Sequence, residues 1–156
     1  KYKDSIKTKV NFPGLAFDQK QSERVIKIME GYESYYTIYD RLPHGDVIKM
    51  QENSNLLLMV AYKGYKGVLP SKLSEYVGLR KPIFLIPNDN NIIEAILKDT
   101  GLGIVCNTTE EAFAELVKAV EHTKNGRPLV NGREEAIEKY SKKYQTKLLA
   151  QLLNTI

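Results

Sequence analysis

Leu56-Leu57-Leu58-Met59-Val60-Ala61 is an unbroken apolar run. Tyr62-Lys63-Gly64-Tyr65-Lys66-Gly67-Val68-Leu69-Pro70-Ser71-Lys72-Leu73-Ser74-Glu75-Tyr76-Val77-Gly78-Leu79-Arg80-Lys81-Pro82 follows it, and Ile83-Phe84-Leu85-Ile86 is a second apolar run. The first run predicts a strand buried on both faces, because no residue in it supplies a polar side. Two glycines and two lysines then make a loop. A short helix follows from about Pro70 or Ser71, with Leu73, Tyr76 and Val77 as its apolar side. Such a glycine loop, running from a buried strand into a helix, is a natural anion site. The unpaired N–H groups and the positive end of the helix dipole both face whatever sits there. Lys72 and Glu75, three residues apart, share one face of that helix. A lysine suits a phosphate, and a carboxylate accepts from hydroxyls such as those of a ribose. The same spacing also describes a solvated surface pair, and the loop is neither a Walker loop nor a dinucleotide fingerprint.

Outward from this segment the chain alternates. Lys9–Leu15 predicts a first strand, shortened by Pro13, and Gly14 then stands at the strand's C-terminal end, where open α/β sheets bind ligands. A helix from Asp18 or Ser22 to Met29 is expected to bury Val25, Ile26, Ile28 and Met29, with Gly31 closing it. Tyr35–Tyr39 predicts a second strand, and His44 to about Asn53 a short helix with Val47, Ile48 and Met50 inward. Asn90-Asn91-Ile92-Ile93-Glu94 has the form of a capping box for a helix that ends before Gly101. Gly103–Asn107 predicts a fifth strand. Thr108 to Glu111 is another capping box, opening a helix with a core-facing stripe of Ala112, Phe113, Leu116, Val117 and Val120. Asn125-Gly126-Arg127-Pro128 breaks the chain, and one amphipathic helix is expected over 133–156, with Ile137, Tyr140, Tyr144, Leu148 and Leu152 on one side. Strands without a polar face, alternating with helices, predict a Rossmann-like α/β domain. Its parallel sheet would have about five or six strands, with helices on both faces.

The 156 residues suffice for one core and are too few for two domains, so 1–156 reads as a single domain with 1–7 as a tail or linker remnant. An apolar content of 42% and a charged content of 27% mark a globular chain. No run approaches the roughly 18 apolar residues of a membrane span. Cys106 is the only cysteine, which excludes an internal disulfide and suggests a reducing compartment. The net charge of +4 suits a protein that meets anionic nucleotides or an acidic membrane surface. It is too small to imply nucleic-acid binding. The two histidines and the cysteine are too scattered for a metal cluster, so no metal and no cofactor is expected.

Gly67-Val68-Leu69-Pro70-Ser71-Lys72-Leu73-Ser74-Glu75-Tyr76, with Gly78 and Lys81-Pro82 after it, resembles the donor-site signature of retaining glycosyltransferases of the GT-B fold, family-four type. In that group a Pro-Ser-Lys-x-x-Glu-Tyr helix is followed by Gly-x-x-Pro before the next strand. The approach through Arg41-Leu42-Pro43-His44 is similar too, and the resemblance extends over nearly the whole chain as the C-terminal half of such an enzyme. It implies a donor domain that holds a UDP- or GDP-linked sugar. Lys66, Lys72 and the helix N-terminus would stabilise the departing nucleotide diphosphate, and Glu75 would take the ribose hydroxyls. Gly14, Gly67 and Ser71 would belong to the substrate-binding set, and the Arg41–His44 loop would lie against the base. It further implies transfer of a hexosyl group to a glycan or lipid-linked acceptor, in cell-surface polysaccharide synthesis. The acceptor would be held by an N-terminal domain outside this chain, to which the C-terminal helix would cross. The expected location is the cytoplasm or the inner face of the membrane, with peripheral association of the full protein. Relatives with a paired-glutamate form of the motif carry another Glu eight residues before the second; here that position is Gly67.

Simpler roles stand beside these. His44 reads as a cap or surface residue, His122 as a side chain favourably placed at a helix C-terminus, and Cys106 as a small core residue. Lys63 and Lys66 read equally as a solvated loop. Asp89, Asn90 and Asn91 lie just beyond the fourth strand, on the cleft side. A phosphoryl-receiver domain has similar length and alternation, and Lys81-Pro82 matches its Lys-Pro pair. Its acidic cluster and phospho-acceptor are missing, since the first and third strands end in Pro13-Gly14 and Ala61-Tyr62. A degenerate, non-catalytic binding module and a nucleotide-sugar epimerase half remain as alternatives.

Overall fold

The computed structural model describes residues 8–62 and 64–155. The expected tail over 1–7, Lys63 and Ile156 lie outside them. The chain is α/β and gathers into two compact units, Lys1–Gln51 and Glu52–Ile156.

In the first unit, β1 (Val10–Phe12) and β2 (Tyr36–Ile38) pair in parallel with Val10 opposite Tyr36. Between them runs α1 (Gln19–Ile28), capped by the Asp18 carboxylate, which accepts from the Gln21 N–H at 3.1 Å. Its packing differs from the expected apolar side. Ile26 and Ile28 are exposed, Val25 and Met29 are half-buried, and the one buried residue is Ser22. The Ser22 hydroxyl donates to the Leu15 carbonyl at 2.7 Å, which ties α1 to the turn before it. Helix α2 (His44–Glu52) follows, with Val47, Ile48 and Met50 half-buried.

The second unit is built on β3 (Leu57–Met59), β4 (Ile83–Leu85) and β5 (Gly103–Val105), all parallel and in the order β3-β4-β5. One face carries the main core. Met59, Leu85 and Ile83 meet Leu73 and Val77 of α3 (Ser71–Gly78), Ile93, Ile96 and Leu97 of α4 (Ile92–Thr100), and Ile137 of α6 (Glu134–Lys139). The buried positions of α4 fall at i, i+3, i+4 and i+7, the spacing of one helix face, and Gly101 ends it in the left-handed region at φ 69°. The opposite face is covered over β4 and β5, where Phe84 and Cys106 meet Ala112 of α5 (Thr109–Lys124). Helix α7 (Lys142–Leu153) closes the chain.

Among the described residues, a two-stranded and a three-stranded parallel sheet stand in place of the expected single sheet of five or six strands. Each strand is three residues long, and Pro13, without an N–H to continue a ladder, stands directly after β1. The third strand is not buried on both faces either. Leu57, Met59 and Ala61 are buried, whereas Leu58 and Val60 are exposed, because β3 is an edge strand and α5 covers its neighbours instead. The α5 stripe is also partial. Ala112 is buried, Val117 and Val120 are half-buried, Leu116 is exposed, and Phe113 is 71% exposed. Finally, the last helix is two helices. Tyr140 ends α6, and Ser141 caps α7 by accepting from the Tyr144 N–H at 3.1 Å. Among the described residues, no helix is long and apolar enough to cross a membrane.

Candidate functional site

β3 delivers the chain into a loop that reverses at Gly64 (φ 83°) and Gly67 (φ 72°), both left-handed positions that a side chain would strain. The Gly67 N–H donates to the Asn91 Oδ1 at 3.0 Å, so the loop is held against the start of α4. Pro70 then serves as N-cap of α3 in an extended conformation, and no side chain caps the first turn. Asp18 caps α1, Thr108 caps α5 and Ser141 caps α7, each through a side-chain oxygen, whereas α3 shares the lack of such a cap with α6, which starts after Arg133. The Leu73 N–H returns to the Pro70 carbonyl at 2.9 Å, but the N–H groups of Ser71 and Lys72 belong to the turn that helix geometry leaves unpaired. Ser71, Lys72, Lys66 and Gly67 are exposed there, and Glu75, half-buried, stands one turn along. Burial pushes the Tyr76 phenol above its usual range, and the charge of Glu75 beside it adds to the rise. The structure therefore brings Lys66, Gly67, Ser71, Lys72 and Glu75 onto one loop-helix segment at the C-terminal end of β3.

The neighbouring loop, after β4, departs from its expected role. Asn91 does not cap α4 with its side chain. The Asp89 carboxylate does, accepting from the N–H groups of Asn91, Ile93 and Glu94 at 3.2, 2.9 and 3.0 Å. A carboxylate has two oxygens to spread over these donors and its charge favours a helix N-terminus, so it outcompetes an amide. Asn91 is thereby released to hold Gly67. Asn88 and Asn107, not singled out from the sequence, extend this rim. The Asn88 amide donates to Asn90 Oδ1 at 3.1 Å and to Asn107 Oδ1 at 3.3 Å, and its N–H donates to the Cys106 carbonyl. The Glu111 carboxylate accepts the Asn107 N–H at 2.7 Å, and that bond holds its carboxyl below the usual range. The capping box at Thr108–Glu111 is thus present, with Thr108 accepting from the Glu111 N–H and the glutamate reaching back one residue further than usual. A run of Asn88-Asp89-Asn90-Asn91 directly after a buried strand was the available signal for this rim.

In the first unit, the loops after β1 and β2 are tied together. The Gly14 N–H donates to the Asp40 carbonyl at 3.2 Å and the Ala16 N–H to the Tyr39 carbonyl at 3.1 Å. Gly14 is left-handed (φ 79°), and the Arg41 guanidinium stacks 3.3 Å from the centre of the Phe17 ring. His44 begins α2 and is exposed. Gly14 and Arg41 are thus brought to one end of the β1–β2 pair.

The residues given simpler roles behave accordingly. Cys106 is fully buried, and desolvation pushes its thiol up, with the carboxylates of Glu115 and Glu111 adding to the shift. His122 lies in the last turn of α5, with Nδ1 2.9 Å from the Pro128 carbonyl, so a proton on Nδ1 would be donated to it. Among the described residues, no three His, Cys, Asp or Glu side chains gather in a group that would hold a metal ion. No family model, no curated protein and no solved structure matches this chain.

Proposed function

We propose that this chain is the donor-nucleotide-binding half of a GT-B, Rossmann-like glycosyltransferase. It takes a UDP- or GDP-linked sugar whose hexosyl group passes to a glycan or lipid-linked acceptor. The observation that carries the reading is the first turn of α3, which lacks a side-chain cap and adjoins a left-handed glycine loop with Lys66 and Lys72 exposed. An anion is the natural partner of such a turn, and phosphate is the anion that a pair of lysines would favour. On this reading Glu75, one turn further, would accept from the ribose hydroxyls of the same ligand. The likeness of Pro70-Ser71-Lys72-x-x-Glu75-Tyr76 to the donor signature adds the nucleotide. On this reading Lys66 and Lys72 take up the charge that develops on the departing diphosphate. With the acceptor side supplied by another domain, the chain alone would bind donor weakly and transfer little.

Calorimetric titration of UDP and GDP into the wild-type chain, Lys72→Ala and Glu75→Ala tests it. One nucleotide diphosphate should bind, and both substitutions should weaken it by about tenfold or more without changing the circular dichroism. Binding that neither substitution alters would refute this site. Absence of binding by the full-length protein would favour a non-catalytic module.

A further inference from the structure

Two Asn-Gly pairs, Asn125-Gly126 and Asn131-Gly132, stand in the segment between α5 and α6, and the proposed donor site uses neither. Asparagine is chemically labile, and most so before glycine. The backbone nitrogen of the glycine can attack the asparagine Cγ, and no side chain on the glycine crowds the approach. That nitrogen gives up its proton to solvent base as its bond to Cγ closes an imide ring. The bond from Cγ to Nδ2 breaks, and the leaving nitrogen takes a proton from water to depart as ammonia. A second water opens the ring at either carbonyl. One opening gives aspartate on an ordinary backbone, and the other gives isoaspartate, whose backbone runs through the former side chain. No oxidant, reductant or cofactor enters the balance.

The sequence makes the two pairs equal, and the fold separates them through the two groups that react. At the first pair both groups are engaged. The Asn125 amide donates to the Glu121 carbonyl at 2.8 Å, and the Gly126 N–H donates to the Thr123 carbonyl at 3.3 Å. Asn125 is the C-cap of α5, and the Arg127 N–H closes the turn on the His122 carbonyl at 2.9 Å. Attack there requires the end of the helix to open first. At the second pair, among the described residues, neither the Asn131 side chain nor the Gly132 N–H takes part in a hydrogen bond, and both residues are exposed. The chain is held on either side of them instead. Val130 packs on the main core, and the Arg133 N–H donates to the Thr100 carbonyl at 2.8 Å. We propose that Asn131 is a deamidation site, converted through an imide with Gly132 to aspartate and isoaspartate, whereas the folded chain protects Asn125. The product would stand at a close contact, since a Cβ on Gly101 would lie 2.3 Å from the Asn131 carbonyl oxygen. Isoaspartate adds one backbone atom there, directly before the residues that tie α6 to the end of α4, and it brings a carboxylate two positions from Arg133.

Incubation of the whole chain in mildly alkaline buffer, folded and unfolded in guanidinium chloride, tests this by peptide mass spectrometry. Trypsin leaves both asparagines on one peptide, 125–133, because Pro128 blocks cleavage after Arg127, so fragmentation of that peptide reads the two side by side. Heavy-oxygen water during the incubation marks conversions that occur then and not during digestion. Incubation continues until the unfolded chain has converted at both positions, which establishes that the chemistry runs. In the folded chain Asn131 should convert about tenfold or more faster than Asn125, where two hydrogen bonds must open first. In the unfolded chain the two rates should become similar, and Asn131→Gln should remove the fast conversion while leaving Asn125 slow. Equal rates in the folded chain, faster conversion at Asn125, or an Asn131 that stays intact until the chain is unfolded would overturn the proposal.

Discussion

Gly67 and Gly101 have nearly the same backbone, φ 72° and 69°, but opposite surroundings, which separates torsional strain from steric exclusion. A Cβ at Gly67 would meet nothing within 4 Å. A Cβ at Gly101 would stand 2.3 Å from the Asn131 carbonyl oxygen. Holding alanine in the left-handed region costs about 1–2 kcal/mol, and the stiffer unfolded chain offsets about 0.4–1 of that, so Gly67→Ala should destabilise by roughly 1 kcal/mol. At Gly101 the backbone near Asn131 must also retreat by about 0.7 Å to reach tolerable contact. That segment is pinned beside it, since the Arg133 N–H donates to the Thr100 carbonyl at 2.8 Å and its guanidinium Nε to the Asp99 carbonyl at 2.7 Å. Loosening one such bond adds about 1–3 kcal/mol, which brings Gly101→Ala to roughly 2–4 kcal/mol. Urea unfolding followed by far-ultraviolet circular dichroism measures both. With a slope of about 1–3 kcal/mol/M, Gly101→Ala should lower the midpoint by on the order of 1 M or more, and Gly67→Ala by less than half as much. Equal losses at the two positions would refute the close approach of Gly101 to Asn131.

The division of labour between Asp89 and Asn91 makes a second prediction. Asp89→Ala should cost about 0.5–2 kcal/mol in the same urea experiment, because three N–H groups at the start of α4 lose their acceptor. Asn91→Ala should cost at most about 1 kcal/mol but speed hydrogen exchange at the Gly67 amide, and unchanged exchange there would count against the 3.0 Å bond. The third prediction concerns acid. Glu134 is held below its usual value by its hydrogen bonds from Arg80, Glu94 by Lys98 and then Asn88, and Glu111 by the Asn107 N–H. A carboxyl with a depressed folded value adds stability that is complete above the unfolded value of 4.5 and is lost as pH falls through the folded value. The urea midpoint should therefore drop below pH 4.5, and Glu134→Gln should flatten that drop without steepening it.

Much of this architecture was legible because it depends on local pattern. The runs at Leu56–Ala61 and Ile83–Ile86 and the helix stop at Gly101 each encode their element within one or two turns of chain. What failed depends on partners distant in sequence. Apolar spacing in α1 and α5 correctly marks helices, but it cannot say whether a neighbour covers Ile28 or Phe113, and both are exposed. The bare face of β3 has the same origin, since an apolar strand at an edge reads like one at a centre until its neighbours are known. Competition between near-equivalent groups is the other source of error. Asn91 sits at the N-cap position, but Asp89 two residues earlier has the stronger acceptor and wins. The break at Tyr140–Ser141 carried its own signal, a serine before a helical stretch, which the continuous apolar spacing of Tyr140, Tyr144 and Leu148 obscured.

The same competition bears on the position where the paired-glutamate form of the donor signature that this segment resembles carries its other glutamate. Gly67 occupies it here, left-handed and tied through its N–H to Asn91. A glutamate would have to hold φ near 72° at a cost of about 1–2 kcal/mol, or turn the loop and surrender the bond to Asn91. A carboxylate at this point and the present loop are therefore alternatives. If the chain holds a nucleotide sugar as proposed, the sugar would be met by different chemistry from that of the paired-glutamate form. The groups that can supply it are neutral and close by: the asparagine rim of Asn88, Asn90 and Asn107, whose amides already donate and accept among themselves and can exchange those bonds for sugar hydroxyls. An amide rim gives each hydroxyl a donor or an acceptor without a fixed charge. That would favour selection by the geometry of the hydroxyls over attraction to a cationic centre, whereas the lysines beside α3 would serve the phosphates of the proposed ligand. Charge recognition and sugar recognition would thus be divided between the two loops that the Asn91–Gly67 hydrogen bond holds together.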